Sequence, residues 1–210
     1  MVGGDFYDVF EIGRGAYGAA IGDVQGKDAR AAGMTNVVRH SLRSSAQTRD
    51  PGAALAIVNR IVLQEQEPSD PRFSSATLAR LDRDGDGFAV RLSSAGHPPA
   101  LVVRAAGTVE ECHAPGTLLG ITEEPELGVA GTRLGPGDAL VLYTDGLIEA
   151  RSAGIGILGE ERVRELLEAE AGTWATADHL ASRLLELRDG YSEVRRRDDL
   201  ALLVARVIPS

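Results

Sequence analysis

The order of strand-like and helix-like segments is the feature that most constrains the fold of this 210-residue chain. Residues 6–12 and 17–22 are short apolar segments on either side of Gly13-Arg14-Gly15, a pattern that predicts a β-hairpin. Apolar residues at helical spacing then predict a helix over about residues 29–45. A second helix is predicted to run to about residue 66, with Asp50 as its N-cap and Pro51 at its first position.

The same alternation continues to the end of the sequence. The turn Asp84-Gly85-Asp86-Gly87 separates two strand patterns, and an apolar segment at 200–207 predicts a closing strand. Further strands are predicted over residues 75–82, 88–94, 101–104, around 109 and 139–144, and further helices over 160–171 and 176–188. Strand pairs, then helices, then a returning strand are typical of an α+β fold with helices packed on sheets.

Domain organisation follows from the continuity of these patterns. There is no internal repeat or linker, so residues 1–210 are predicted to form a single domain, and 43% apolar content is enough for a sizeable core. The chain opens on Val2-Gly3-Gly4-Asp5, which looks like the interior of a domain. We therefore expect that its first strand and an upstream regulatory domain are missing.

Charge and cysteine usage exclude several classes of protein. A formal net charge of −9 argues against nucleic acid as a partner, because that binding needs clustered positive charge. No apolar run approaches the roughly 18–20 residues that span a bilayer, and no secretory signal opens the chain, so no membrane partner is expected. The single cysteine, Cys112, has no disulfide partner within the chain, which predicts a reduced, cytoplasmic setting.

Four aspartates occupy related positions at predicted strand ends. Asp23 and Asp145 each follow an apolar strand, and Asp5 and Asp198 each precede one. In antiparallel sheets the ends of some strands lie beside the starts of others, so the four carboxylates could gather at one edge. Clusters of carboxylate oxygens select Mg²⁺ or Mn²⁺, and two such ions can activate a bridging water for attack on phosphorus. The alternative is that each aspartate is an ordinary turn residue beside glycine.

Five motifs in order make the sequence resemble the type 2C (PPM) protein phosphatases of the bacterial SpoIIE/RsbU branch. The resemblance covers nearly the whole chain and implies the family's β-sandwich, in which two antiparallel sheets are flanked by helices. The motifs are Val2-Gly3-Gly4-Asp5-Phe6-Tyr7-Asp8, Gly22-Asp23-Val24-Gln25-Gly26-Lys27, Ser94-Ala95-Gly96-His97-Pro98-Pro99, Tyr143-Thr144-Asp145-Gly146-Leu147-Ile148-Glu149-Ala150 and Arg197-Asp198-Asp199-Leu200.

The resemblance also implies a ligand set for two ions, Mn²⁺ or Mg²⁺. Asp23 would bridge both ions and act with Asp145 as a catalytic residue. Asp5 and the Val24 carbonyl would belong to the second ion, and Asp145 and Asp198 to the first.

Two further aspartates, Asp8 and Asp199, would orient ligands or bound water from behind the metal ligands. One departure concerns Gln25, which stands where many eukaryotic members have a histidine that is a candidate general acid. A glutamine cannot donate a proton with a useful pKa, so the leaving alkoxide would need water or another acid.

The implied activity is hydrolysis of phosphoserine or phosphothreonine on a regulatory protein by attack of a metal-bridging water. The implied substrate is an anti-sigma-factor antagonist, which would place the enzyme in bacterial signal transduction. The implied partners are that phosphoprotein and an upstream sensor domain, and a homodimer stays open. Two other readings remain: a binding module that kept the fold without the chemistry, and a small-molecule phosphatase.

Three other features are predicted to be structural. Residues 82–87 imitate half of an EF-hand loop, but Ser93 stands where the bidentate glutamate is required, so they predict a hairpin turn. His97 lies in a Gly-His-Pro-Pro turn and is expected to hold that loop, with a catalytic role as the alternative. Arg195-Arg196-Arg197 is expected to be a solvated loop, or else a contact for an acidic or phosphorylated substrate.

Overall fold

The computed structural model describes residues 4–152, 154, 156–170, 176–191 and 199–208, and contains two main antiparallel sheets. The larger sheet has the strand order β1-β2-β3-β4-β7, and the smaller has the order β11-β8-β5-β6. The strands of these sheets are β1 (Phe6–Gly13), β2 (Ala16–Val24), β3 (Ser74–Asp84), β4 (Gly87–Ala95), β5 (Ala100–Val103), β6 (Val109–Cys112), β7 (Ala130–Leu134), β8 (Ala139–Tyr143) and β11 (Leu202–Arg206).

Four helices and a short ribbon complete the described part of the chain. Helices α1 (Ala29–Ser45) and α2 (Pro51–Glu65) pack on the larger sheet, and α3 (Gly159–Glu170) and α4 (Ala177–Tyr191) pack on the smaller one. The two-residue strands β9 (Arg151–Ser152) and β10 (Gly156–Ile157) pair with each other before α3. Every helix in the described ranges falls short of the length and apolarity that crossing a bilayer demands.

Three apolar cores hold the layers together. The central core lies between the two sheets and joins residues such as Ile21 and Leu92 of the larger sheet to Leu140 and Leu142 of the smaller. The outer cores lie between each sheet and its own helix pair. This order of layers, helices, sheet, sheet, helices, confirms the α+β sandwich that the sequence predicts.

Helix caps and turns form as the sequence predicts. The Asp50 side chain accepts a hydrogen bond from the Ala53 N–H (3.0 Å), and Pro51 is the first residue of α2. The equivalent cap of α1 is Asp28, whose carboxylate accepts from the Ala31 N–H (2.9 Å). The EF-hand-like segment is the β3–β4 hairpin turn, in which Gly85 adopts a φ of 60°.

Strand β7 and the short ribbon of β9 and β10 were not predicted from the sequence. Strand β7 pairs with β4 at the edge of the larger sheet, and only Leu134 at its end is buried. An edge strand that buries so little carries little hydrophobic alternation, which is why its sequence does not predict a strand. Strands β9 and β10 are too short to carry a period at all.

Candidate metal centre

The two sheets bring their aspartate-bearing strand ends to a common edge. Asp23 is the second-last residue of β2, Asp5 directly precedes β1, and Asp145 follows β8 by two residues. Asp199 lies just before β11, close enough to interact electrostatically with both Asp5 and Asp23. The gathering of these carboxylates follows from antiparallel pairing of β1 with β2 and of β8 with β11.

The Thr144 hydroxyl ties this edge together. It donates a hydrogen bond to Asp5 Oδ2 (2.8 Å) and accepts one from the Ala201 N–H (2.9 Å). The Thr144 N–H also donates to the Ala201 carbonyl (3.0 Å). The start of β1 in one sheet is therefore fixed to the β8 and β11 ends of the other. Thr144 belongs to a motif in the sequence, but the motif does not reveal this role.

The carboxylates repel one another in a partly desolvated place. Burial raises the pKa of Asp5, and further contributions come from the charges of Asp145 and Asp199. Burial, followed by the charge of Asp5, raises the pKa of Asp23 to about 7. Asp23 and Asp5 also share a hydrogen bond, so a proton on Asp23 is shared with the Asp5 carboxylate. Such a cluster is stabilised by a proton or by a cation.

Two glycines allow backbone and carboxylates to approach closely at this edge. A Cβ atom at Gly4 would overlap the Val24 carbonyl oxygen and Asp23 Oδ1. The Gly4 carbonyl also accepts the Val24 N–H (3.2 Å). A Cβ atom at Gly146 would overlap the Asp199 carbonyl oxygen. Only glycine fits at either position without moving the backbone that carries the acidic residues.

A cleft of about 440 Å³ opens beside the carboxylates. Its lining combines the acidic side chains of Asp23 and Asp145 with apolar side chains such as that of Leu118. Gln25 is on the cleft wall, and its N–H donates to the Phe73 carbonyl (3.0 Å). The lining residues are Asp23, Gln25, Phe73, Ser75, Gly96, His97, Pro98, Leu118 and Asp145.

His97 and Ser75 form a hydrogen-bonded pair in the lining of this cleft. The imidazole is buried, and its Nδ1 lies 2.9 Å from Ser75 Oγ. Burial lowers the pKa of His97 to about 4, so the ring is neutral at pH 7. The ring thus holds its loop through a hydrogen bond, as the sequence predicts. No sequence signal pointed to Ser75, because its partner is chosen by the register of β3 and β4.

The remaining candidates have different surroundings. The Asp8 carboxylate receives two hydrogen bonds from the Arg43 guanidinium of α1 (2.8 and 2.7 Å), so it faces the helix layer. Asp199 is half-exposed, with Oδ2 3.9 Å from Lys27 Nζ. Asp198 and the arginines 195–197 lie outside the described residues.

The donor chemistry of the edge fits a hard cation. Its described side chains offer carboxylate oxygens, and the Val24 carbonyl lies against Gly4 beside Asp23. Oxygen-only sites of this kind suit Mg²⁺ and Mn²⁺, which keep several water ligands. Across the described ranges, no three acidic, histidine or cysteine side chains converge into a closed ligand set. The described carboxylates would therefore share an ion with water and with other ligands.

Comparisons with known proteins were made on both sequence and fold. The family model described as Stage II sporulation protein E (SpoIIE) matches residues 13–208. Phosphoserine phosphatase RsbU of Bacillus subtilis is 28% identical over 210 residues, which cover 98% of this chain and 60% of that protein. This chain therefore spans less than two thirds of the length of that relative.

Two solved structures share the fold over the full length of this chain. The RsbU and RsbW domains of Rv1364c from Mycobacterium tuberculosis match with a TM-score of 0.81 and 26% identity, covering 100% of this chain and 56% of that one. The PP2C phosphatase domain and regulatory-domain fragment of SpoIIE from Bacillus subtilis match with a TM-score of 0.79 and 22% identity, covering 100% and 60%.

Proposed function

This chain belongs to the SpoIIE family, and from that membership we propose that it is a metal-dependent protein phosphatase. The proposed reaction is hydrolysis of a phosphoserine or phosphothreonine ester on a regulatory protein. One observation carries the proposal beyond family membership: the part-buried carboxylates of Asp5 and Asp23 repel each other and Asp145, and Asp23 and Asp145 line an open cleft. A structural role alone gives no reason to collect like charges there.

The residues that would hold the ions are those of the carboxylate edge. We propose that Asp23 bridges two ions, that Asp5 and the Val24 carbonyl complete the second, and that Asp145 and Asp198 complete the first. When bound, Mg²⁺ or Mn²⁺ would supply charge neutralisation for the phosphoryl group and a water acidic enough to attack phosphorus at neutral pH.

The protein itself would position the metal-binding carboxylates and reduce the access of water to the bound phosphate ester. Gly4 and Gly146 let the backbone lie against the acidic residues, and the Thr144 hydroxyl holds Asp5 in place. The apolar lining residues Phe73 and Leu118 would reduce the water around a bound phosphate ester, which would strengthen the electrostatic interactions there. Gln25 lines the cleft but cannot protonate the leaving alkoxide, so that proton would come from water or from another acid.

The proposed substrate is a phosphorylated anti-sigma-factor antagonist. Support comes from family membership and from the relative named phosphoserine phosphatase RsbU. We also propose that an attached sensor domain controls the enzyme, since this chain spans 60% of that relative, and that a homodimer is one form in which it works.

Turnover with and without metal tests the activity. We expect Mn²⁺-dependent hydrolysis of p-nitrophenyl phosphate and of a phosphoserine protein, both abolished by EDTA. Asp23→Asn should lower kcat more than about 100-fold, because it removes the proposed bridging ligand. The matched control is Asp82→Asn in the β3–β4 turn, which should stay within about twofold of wild type. Mn²⁺ binding by calorimetry with no turnover on any phosphoprotein would instead favour a binding module.

A further inference from the structure

The Ser75–His97 pair has a geometry that loop-holding alone does not require. Both residues line the cleft, and their hydrogen bond is part-buried. His97 Nε2 is also buried and makes no hydrogen bond of standard geometry. A neutral imidazole has one donor nitrogen and one acceptor nitrogen, so the surroundings of Nε2 decide what Nδ1 does.

The backbone carbonyl of Tyr143 favours one tautomer. It acts on the ring as an acceptor that favours protonation, and Nδ1 is already paired with Ser75. We infer that the carbonyl acts on the Nε2 side, where the buried Nε2 makes no hydrogen bond of standard geometry. An acceptor on that side favours the tautomer with its proton on Nε2. Nδ1 is then unprotonated and accepts the hydroxyl hydrogen of Ser75.

The hydrogen bond that Ser75 donates to His97 leaves the Ser75 oxygen as a hydrogen-bond acceptor for groups in the cleft. With its hydrogen directed at Nδ1, the Ser75 oxygen presents only lone pairs. Ser75 of β3 is the direct cross-strand partner of Asp23 of β2. Side chains of such partners point to the same face, with Cβ atoms about 4.5–5.5 Å apart. The lone pairs of Ser75 thus lie beside the carboxylate that the proposed reaction places at its centre.

We propose that Ser75 accepts a hydrogen bond from the attacking water and that His97 is the positioning residue that makes Ser75 an obligate acceptor. This inference rests on the proposed phosphatase function and adds a contact for the nucleophile that family membership did not assign. By accepting a hydrogen bond from the water, Ser75 would favour one orientation of that water. In this orientation a lone pair of the water oxygen can face the phosphorus atom. His97 remains neutral and takes no proton from the water.

Removing the hydroxyl tests the contact. Ser75→Ala should lower kcat for p-nitrophenyl phosphate about 10- to 100-fold, as loss of a supporting polar group does. KM and the Mn²⁺ dissociation constant from calorimetry should stay within about threefold, because the substrate and the ions keep their ligands. Ser75→Thr restores the hydroxyl and should recover most of the lost kcat.

Ser94→Ala is the matched control. Ser94 Oγ and Thr77 Oγ1 form a buried hydrogen bond of 2.8 Å between β4 and β3, and neither residue lines the cleft. Its loss should lower the melting temperature at least as much as Ser75→Ala does while leaving kcat within about twofold. Equal losses of kcat in the two variants would reduce Ser75 to a structural role and overturn the proposal.

The tautomer has its own measurement, which needs neither metal nor turnover. Long-range ¹H–¹⁵N spectra of the metal-free protein should show Nδ1 of His97 unprotonated at pH 7, with its signal identified among the four histidines by its absence in His97→Gln. A protonated Nδ1, or a Ser75→Ala variant with wild-type kcat, would overturn the inference. A wild-type chain without Mn²⁺-dependent turnover would instead overturn the proposed function, and the spectra would still decide the Ser75–His97 arrangement.

Discussion

Two acidic clusters at different places in this fold have opposite surroundings. In the β3–β4 turn, Asp82 is paired with Arg80 (2.8 Å), and Arg133 binds both Asp84 (3.1 Å) and Asp86 (2.8 Å). These carboxylates are largely exposed, and hydrogen bonding from Arg80 lowers the pKa of Asp82. Cations there satisfy the acids completely, so no external ion is needed.

At the carboxylate edge the near neighbours of Asp5 and Asp23 are other carboxylates, and burial raises the pKa of both. The difference teaches that acidic content alone does not identify a metal site. What separates the two clusters is desolvation without matched arginines. The sequence of the turn, with alternating aspartate and glycine, looked more like a cation loop than the scattered aspartates of the edge did.

Among the substitutions that test this comparison, we expect the largest effect from replacing Gly4, which is closely packed at the carboxylate edge. Gly4→Ala should lower the unfolding free energy by about 1–3 kcal/mol and Mn²⁺ affinity at least about tenfold, because its Cβ would overlap Val24 and Asp23. Urea unfolding and calorimetry measure the two effects. Gly13→Ala is the control, since nothing lies within 4 Å of its Cβ, and it should be nearly neutral. Unchanged Mn²⁺ affinity in Gly4→Ala would contradict the placement of the ion.

Thr144→Val should have the next largest effect. The change keeps the shape but leaves the Ala201 N–H and Asp5 without their partner, which costs about 1–3 kcal/mol of unfolding free energy. The loss should be larger with the metal removed, when the hydrogen bond shared with Asp23 is the other interaction that favours the Asp5 carboxylate among the described residues. Chemical denaturation with and without EDTA measures it. A variant as stable as wild type in both conditions would show that the hydroxyl is not needed to join the sheets.

In the metal-free protein, the unfolding free energy should change with pH in opposite directions at the two clusters. The folded pKa of Asp23, about 7, lies above its ordinary value of 3.8, so its contribution to stability is present below pH 3.8 and is lost as pH rises through 7. The lowered pKa of Asp82 makes its contribution present above pH 3.8 and lost as pH falls below it.

Urea unfolding in EDTA between pH 4 and pH 8 would measure this difference. In the wild type, the unfolding free energy should fall by about 1 kcal/mol between pH 4 and pH 8, and Asp23→Asn should remove this fall. The figure is reduced because the site is partly exposed to solvent. The subtraction cancels groups that do not interact with Asp23, whereas Asp5 is coupled to Asp23 and the measured difference therefore belongs to this pair of carboxyl groups. An identical pH slope in wild type and Asp23→Asn would remove the argument that Asp23 is poised for a cation.

The smallest effect should come from the acidic residues of the β3–β4 turn, which form ion pairs with Arg133. Arg133→Met removes two exposed ion pairs at the turn and should change the unfolding free energy by less than about 1 kcal/mol. Mn²⁺ affinity and turnover should stay at the wild-type level, as measured by calorimetry and by p-nitrophenyl phosphate hydrolysis. A change in Mn²⁺ affinity would mean that the two clusters are coupled, and the contrast between them would fail.

Local chemistry made much of the fold predictable. The Asp50 cap with Pro51, the hairpin at residues 84–87 and the strand ahead of Asp145 each depend on a few neighbouring residues, and each forms as expected. The order of elements was then enough to predict an α+β fold with helices packed on sheets, and the resemblance to the PPM phosphatases implied the two-sheet sandwich. Strand β7 was missed because its only strong signal is Leu134, and its pairing with β4 is a tertiary effect.

Long-range partners in the site could not be predicted. Ser75 meets His97 22 residues away, Arg43 meets Asp8 35 residues away, and Thr144 meets Asp5 139 residues away. Each pair is set by strand register or by helix packing, which no local pattern encodes. The ligand assignments of Asp5, Asp23, Val24, Asp145 and Asp198, and the supporting roles of Asp8 and Asp199, stay predictions that metal-binding measurements can test.

The bridge that Thr144 makes between the sheets also has a practical consequence for finding ligands. Because Asp5 is held through Thr144 to Ala201, the carboxylate arrangement exists only while the two sheets remain joined. A ligand that binds this arrangement therefore binds the folded chain alone and raises its melting temperature with the logarithm of ligand concentration. Thermal-shift screening of cations and phosphopeptides can then rank ligands even for variants that have lost all turnover.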